Sequence, residues 1–296
     1  MKNFDISTDS TCDFYANEIQ ENGLFFLPLT YTLSDKGVIT EHKDEFKDYS
    51  EYIDYYGKLR SGIISKTSMN NPAIHEAHFR NMAKKGVKSA VHFTISYGLC
   101  HTVDVARAAV ANVQKDYPDF NCLCVESDTT TIGQGFLVRI AIDMQKKGKT
   151  AQETFDYVES VKGQMQHFII ADDLMYLKRG GRLSAASAAI GTMLNVKPII
   201  IFNKEGKLVT YKKNRGLKRT LTAIADEYAN YTVNADYPQV YIGHTDNIPA
   251  AEFLQKQLKD KYGVNAIIRM IGPVIGSHLG PNAVAYLFLS NEERPM

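Results

Sequence analysis

The chain has 296 residues, 44% apolar and 23% charged, and its 34 basic and 33 acidic side chains leave a net charge of +1. That balance supports a sizeable core and excludes a global electrostatic pull toward nucleic acid or anionic membrane, so any basic patch must be local. No apolar run approaches the roughly 18 residues of a membrane span, the amino terminus alternates polar and apolar residues unlike a signal peptide, and the four cysteines lack metal-ligand spacing. The expectation is a cytoplasmic chain of two domains, with buried thiols at Cys122 and Cys124 and no metal.

Residues 2–7 read as a first strand, and Thr8-Asp9-Ser10-Thr11-Cys12-Asp13 as a hydroxyl-rich loop opening a helix through about Asn22. There is no GxGxxG here and no Walker-type glycine loop, which disfavours dinucleotide and nucleotide binding. Residues 24–29 read as a second strand. Phe46, Tyr49, Ile53 and Tyr56 recur at spacings of three and four, predicting an amphipathic helix over 44–60. The cluster 65–72 follows, with Pro72 at the first turn of a helix over 72–84 and Ser68, Asn70 or Asn71 as its cap. Its functional reading is an anion-binding helix start.

Residues 88–95 predict a strong strand running into Ser96-Tyr97-Gly98-Leu99-Cys100-His101-Thr102 and a helix over 103–117. The pattern repeats at 121–126, followed by Ser127-Asp128-Thr129-Thr130-Thr131 and a helix bearing Gly133 and Gly135. Several strands thus end in hydroxyl-rich turns, which in a mostly parallel sheet lie along one rim and suggest a polar ligand site. A helix over 150–162 ends near Gly163, where a boundary is placed: 1–163 and 164–296, each an α/β domain.

The second domain opens with a strand over 167–171 and the stretch Leu177-Lys178-Arg179-Gly180-Gly181-Arg182-Leu183-Ser184, in which the glycines permit close approach and Ser184 is placed to cap a helix from Ala185. A strand over 196–203 contains Pro198, so it is expected at an edge or a bulge. A short strand over 207–211, the basic cluster Lys212, Lys213, Arg215, Lys218 and Arg219, and a helix to about Asn230 come next. Strand, helix and strand at 239–243, 249–262 and 264–270 precede a Gly/Pro-rich loop at 271–281 that carries His278, and a closing strand over 283–289. The basic cluster reads as a solvated connection, a partner-docking patch or, least favoured, a nucleic-acid contact.

Taken in order, Thr8-Asp9-Ser10-Thr11, Lys66-Thr67-Ser68, Ser96 to Thr102, Leu174-Met175-Tyr176-Leu177-Lys178-Arg179-Gly180-Gly181-Arg182, Leu194-Asn195-Val196-Lys197-Pro198 and Gly276-Ser277-His278-Leu279-Gly280-Pro281 resemble the DegV family. These are bacterial fatty acid-binding proteins that serve as binding subunits of fatty acid kinase. The resemblance implies two α/β domains with a long-chain fatty acid between them, no cofactor and no catalytic residue of the chain's own. It implies a separate kinase that uses ATP to make the acyl phosphate, with no nucleic acid and no stable membrane insertion. By the resemblance, Thr67, Ser96, Cys100 and His278 hold the carboxylate, and Ser68, Thr102, Arg182 and Arg215 contact ligand or kinase. Ile190, Met193, Leu194, Ile199, Ile201 and Ile275 are expected in the tunnel wall. Cys100-His101-Thr102 departs from the family's usual serine-glycine-threonine, and Leu279 replaces the usual threonine after the histidine.

The rival from a different class is a hydrolase or transferase with Cys100 as nucleophile and His278 or His101 as base. A metal or anion sensor is disfavoured because the eight histidines lack ligand spacing.

Overall fold

A computed structural model describes residues 2–182 and 195–295. The first sheet is parallel, in the order β2-β1-β6-β7, from β1 (Asp5–Asp9), β2 (Phe25–Leu27), β6 (Ser89–Thr94) and β7 (Asn121–Glu126). One face is covered by α3 (Pro72–Lys84) and α4 (Thr102–Gln114), where Phe79, Met82, Ala106 and Val113 pack with Cys122 and Cys124. Both thiols are therefore buried on one side of β7, as the alternation of a strand requires.

Its other face packs on α5 (Ile132–Lys146) and α6 (Ala151–Val161). Helix α5 is buried nearly all round because a second sheet lies beyond it: Phe136 meets Tyr241 of that sheet with ring centroids 5.4 Å apart. This six-stranded sheet runs β10-β9-β8-β13-β11-β12. Its strands are β8 (Met165–Ile170), β9 (Val196–Phe202), β10 (Leu208–Arg215), β11 (Val240–His244), β12 (Ile267–Met270) and β13 (Val284–Leu289). Leu221 and Ile224 of α8 (Leu217–Asp226) and Leu254 and Leu258 of α9 (Ile248–Tyr262) cover its outer face. The layers stack helix, sheet, helix, sheet, helix. Burial of one large apolar side chain contributes about 1.5–3 kcal/mol, so the doubly faced α5 is a principal tie between the sheets.

A third, antiparallel sheet was not foreseen. It runs β4-β3-β5, from β3 (Thr30–Asp35), β4 (Val38–Lys43) and β5 (Ile64–Ser68). The strands β4 and β5 are rich in Ser, Thr and charge, and β4 is almost wholly exposed, so apolar alternation marks β3 alone. Tyr31 and Leu33 give one buried face, packed on Tyr52, Tyr55 and Tyr56 of α2 (Tyr49–Arg60). The helix predicted from residue 44 begins only at Tyr49, where Asp48 caps it by accepting from the Ser50 amide at 2.9 Å.

Local geometry decides between the alternatives left open and changes other readings. Ser68 ends β5, and it is Asn71 that caps α3, accepting from the Ile74 amide at 3.0 Å. Pro198 sits in β9, which is second from the edge. Its register partner is Lys213, next to a bulge between Thr210 and Lys212 of β10, and the one register pair joining β9 to β8 is Ile169 with Ile200. Of the two settings expected for Pro198, an edge or a bulge, the register places it close to a bulge. The basic residues from Lys212 to Arg215 belong to β10 rather than to a connection. His278 lies on a short helix, α10 (Pro273–Leu279), not in a loop, because Pro273 supplies an N-terminal start. The helix proposed from Ala185, its cap Ser184, and Ile190, Met193 and Leu194 lie outside the described residues.

Candidate functional site

The rim of the parallel sheet faces the inner face of the six-stranded sheet across a cavity whose empty space, counted together with the solvent at its mouth, is about 900 Å³. Its walls are mostly apolar: Leu29, Ile95 and Leu99 on one side, Ile169, Phe202, Ala285 and Leu287 on the other, and Ile271, Val274, Ile275 and Leu279 from α10 and its approach. Thr67, Ser68, Cys100, Arg182 and His278 also line it, so five of the residues named from sequence meet at one cavity, joined by Ile275.

Ile199 and Ile201 do not belong there. Side chains alternate along β9, and these two are buried in the core under α8 and α9, while Phe202 and Ile200 turn to the other side and Phe202 reaches the cavity. Ser96 is fully buried and donates its hydroxyl to the Gly206 carbonyl at 2.8 Å. Thr102 is buried against His75, with Oγ1 and Nε2 3.3 Å apart. Arg215 is exposed at the end of β10, away from the cavity. Neither Ser96, Thr102 nor Arg215 lines the site.

The polar corner is built by β5 and α10. Thr67 Oγ1 and His278 Nε2 are 2.8 Å apart, and His278 Nδ1 is buried without a partner. Burial, helped by the positive charge of Arg182, lowers the His278 pKa to about 4, so the ring is neutral near pH 7. An orphaned buried N–H is rarer than an orphaned lone pair, which favours the tautomer with the proton on Nε2. The imidazole then donates to Thr67, and the threonine hydroxyl is left to donate into the cavity. Gly180 is required by this packing: a Cβ there would fall 2.0 Å from His278 Nδ1. From below, Tyr55 OH bonds Ser277 Oγ at 2.9 Å and donates to the Pro273 carbonyl at 3.0 Å, while Ser65 Oγ lies 2.7 Å from Ser277 Oγ. Tyr56 OH donates to the Ile271 carbonyl at 2.6 Å.

The sheet rim behaves differently. Asp9 accepts from the Thr11 amide at 3.0 Å, from the Gln134 amide group at 2.9 Å and from the Ile95 amide at 3.2 Å. The His167 Nδ1–H donates to the Met165 carbonyl at 2.9 Å, so Nε2 accepts from the Thr129 hydroxyl at 2.6 Å. Gln134, His167 and the buried Arg294, which donates to the Asp128 and Lys162 carbonyls at 2.8 and 3.0 Å, were not singled out from sequence. Nothing local in the sequence distinguishes them. Thr131, at φ 54°, ψ −136°, is a β-branched residue in strained backbone on the cavity wall. Thr130 also lines the cavity, and its hydroxyl is buried without a partner.

Cys100 is half-buried, and burial raises its thiol pKa. His101 stacks on Tyr97 with ring centroids 4.1 Å apart, and His278 Nε2 is engaged by Thr67. Neither imidazole is arranged as a base for the thiol. Among the described residues, no group of three potential metal ligands comes together, and no helix is long and apolar enough to cross a membrane.

The sequence profile described as "Uncharacterised protein, DegV family" matches residues 3–291. A DegV domain-containing protein of Clostridium perfringens is 33% identical over 296 residues, covering 100% of both chains. Among solved structures, a fatty acid binding DegV family protein of Streptococcus agalactiae is 26% identical with a TM-score of 0.81, covering 99% of this chain and 100% of that one. A stearic acid-binding protein from Eubacterium ventriosum is 24% identical with a TM-score of 0.82, covering 97% of this chain and 98% of that one. Profile, relatives and fold agree over nearly the whole length: the chain belongs to the DegV family.

Proposed function

We propose that this protein binds a long-chain fatty acid in the cavity and presents its carboxylate to a separate fatty acid kinase. The observation that carries the reading is a mostly apolar cavity with one polar corner at Thr67, Ser68, Cys100, Arg182 and His278. The binding reported for the related proteins of Streptococcus agalactiae and Eubacterium ventriosum supports it. Each buried methylene contributes about 0.8 kcal/mol, so a sixteen-carbon chain supplies roughly 11 kcal/mol before ordering costs. The tail supplies affinity and the head supplies orientation. A carboxylate removed from water needs donors, and the Thr67 hydroxyl, backed by His278, is the first of them. The guanidinium of Arg182 provides the compensating charge.

In this reading residues 1–163 and 164–296 are the two domains, and the cavity takes walls from both. The chain works in the cytoplasm without a cofactor and leaves the chemistry to the kinase, whose ATP loses its terminal phosphoryl group to the bound carboxylate. The kinase docks on the exposed basic residues Lys213, Arg215, Lys218 and Arg219, since Lys212 beside them is already paired with Glu227 at 2.5 Å.

Protein purified from cells and denatured should release a long-chain fatty acid detectable by mass spectrometry. Protein that is consistently empty and takes up no palmitate would overturn the reading. Reversing the charge at Arg215 and Lys218 should abolish acyl phosphate formation with the kinase while palmitate binding persists. Unchanged turnover would remove the docking surface.

A further inference from the structure

Two buried carboxylates meet where the turn after β1, the residue that follows β4 and the approach to α10 come together. Asp13 and Asp44 are only 6% and 7% exposed, and neither lines the cavity. Asp13 Oδ1 accepts from the Gly272 amide at 3.0 Å. A Cβ on Gly272 would fall 2.5 Å from that oxygen and 3.5 Å from Asp44 Oδ1, so both carboxylates crowd the same glycine. Oδ2 of each is buried without a partner. Both residues line a separate surface cleft, together with Ser10, Glu45 and Lys47.

Carboxylates withdrawn from water and set close together need a counter-charge or must give up ionisation. The surrounding side chains supply little of it. Arg269 spends its N–H groups on Glu18 and on the Asp13 carbonyl oxygen, the latter at 3.5 Å. Lys47 is exposed, and among the described residues neither carboxylate is in an ion pair. Asp9 adds negative charge to both carboxylates. Burial, and then the charge of Asp44, raise the Asp13 carboxyl well above the usual carboxylate range, and burial raises Asp44 to about 7. The pair is nevertheless held in place by hydrogen bonds suited to ionised oxygens. The Gly272 amide fixes Asp13, and Ser10 accepts from the Leu29 amide at 3.1 Å while its hydroxyl serves Asp44.

We propose that Asp13 and Asp44 bind one hydrated magnesium ion through their unpartnered Oδ2 atoms. Oxygen donors alone select a hard cation, and magnesium is commonly held by one or two carboxylates, with water completing its octahedron. Two carboxylates therefore suffice without a third side-chain ligand. Ser10 and the Gly272 amide then act from behind, orienting the ligands through the oxygens and contacts that the ion does not use. The ion ties the turn after β1 and the residue after β4 to the start of α10. That role is structural, and it does not depend on what fills the cavity.

The test is titration of the full chain, stripped with EDTA and dialysed, with Mn²⁺ as a paramagnetic stand-in read by water-proton relaxation, followed by displacement with Mg²⁺. One Mn²⁺ per chain is expected, displaced by Mg²⁺, with a dissociation constant raised more than about 10-fold in Asp44→Asn and in Asp13→Asn. In EDTA, Asp44→Asn should melt higher than the unsubstituted chain, because one of two like charges is gone; that gain also shows that the variant folds. No saturable Mn²⁺ binding by the unsubstituted chain, or equal binding by both variants, overturns the site. Displacement of Mn²⁺ by Ca²⁺ but not by Mg²⁺ overturns the choice of ion. The remaining rival is a proton shared by the pair. A carboxyl whose folded pKa is raised contributes stability at low pH that is lost as the pH rises through the folded value, here about 7 for Asp44. Mg²⁺ should remove most of that loss between about pH 5 and 8; a melting temperature that falls equally with Mg²⁺ and with EDTA would leave the pair holding a proton and overturn the proposal.

Discussion

Two polar regions border the cavity, and they have opposite fates. Along the rim of the parallel sheet, the hydroxyls of Thr11, Ser96, Thr102 and Thr129 reach Asp9, the Gly206 carbonyl, His75 and His167. At the corner of β5 and α10, Thr67 meets His278, whose other nitrogen is left unpartnered, and both residues line the cavity. Both regions are rich in serine, threonine and histidine. Thr130 excepted, whose hydroxyl has no partner, the difference is saturation: a donor already satisfied by a buried acceptor cannot turn to a ligand without leaving that acceptor unpaired, at a cost of about 1–3 kcal/mol.

The largest effect should come from removing the corner. Thr67→Val/His278→Ala is expected to raise the palmitate dissociation constant by about 100-fold, the scale of losing hydrogen bonds to a charged group. An equilibrium titration showing unchanged affinity would move the head group to another part of the wall. Gly180→Ala should act on the same corner through His278, since the new Cβ would stand 2.0 Å from Nδ1. A weakening of about tenfold is expected as the ring tilts from Thr67. Palmitate affinity equal to that of the unsubstituted protein would show that the imidazole position is immaterial.

The rim should respond in the opposite manner. Ser96→Ala leaves the buried Gly206 carbonyl without its 2.8 Å donor, so urea unfolding should show a loss of about 1–3 kcal/mol while palmitate affinity changes by less than about 3-fold. A large loss of affinity without loss of stability would place the rim in the ligand site after all.

Order and type of most long elements were legible from the sequence, because α3, α6, β6 and β13 carry strong periodicity, a cap or an apolar run. The sheet β4-β3-β5 was not legible. Its register pairs, such as Thr32 with Lys66 and Leu33 with Thr40, carry little alternation, and its stability comes from the tyrosines of α2. Thr67, Cys100 and His278 were drawn to one site by motif order, a signal that does not depend on local structure. Ser96 was drawn there as well, although its hydroxyl turns to Gly206, because which way a buried hydroxyl turns is decided by tertiary neighbours. Ile199 and Ile201 were chosen by apolarity alone; strand parity gives the cavity side to Ile200 and Phe202.

The smallest effect predicted is one of pH, and it separates a neutral from a charged corner. Burial lowers the His278 pKa to about 4, below the usual value near 6.5. The stability associated with its neutral form is therefore complete above about pH 6.5 and is lost as the pH falls toward 4, because the unfolded chain takes up the proton first. Between pH 8 and 6 the imidazole stays neutral, so palmitate affinity should vary by less than about 2-fold over that interval. An affinity that climbs about tenfold on lowering the pH from 7.5 to 6, and no longer does so in His278→Gln, would make an imidazolium the partner of the carboxylate. The neutral relay from His278 through Thr67 would then be wrong, and the corner would hold its ligand by charge.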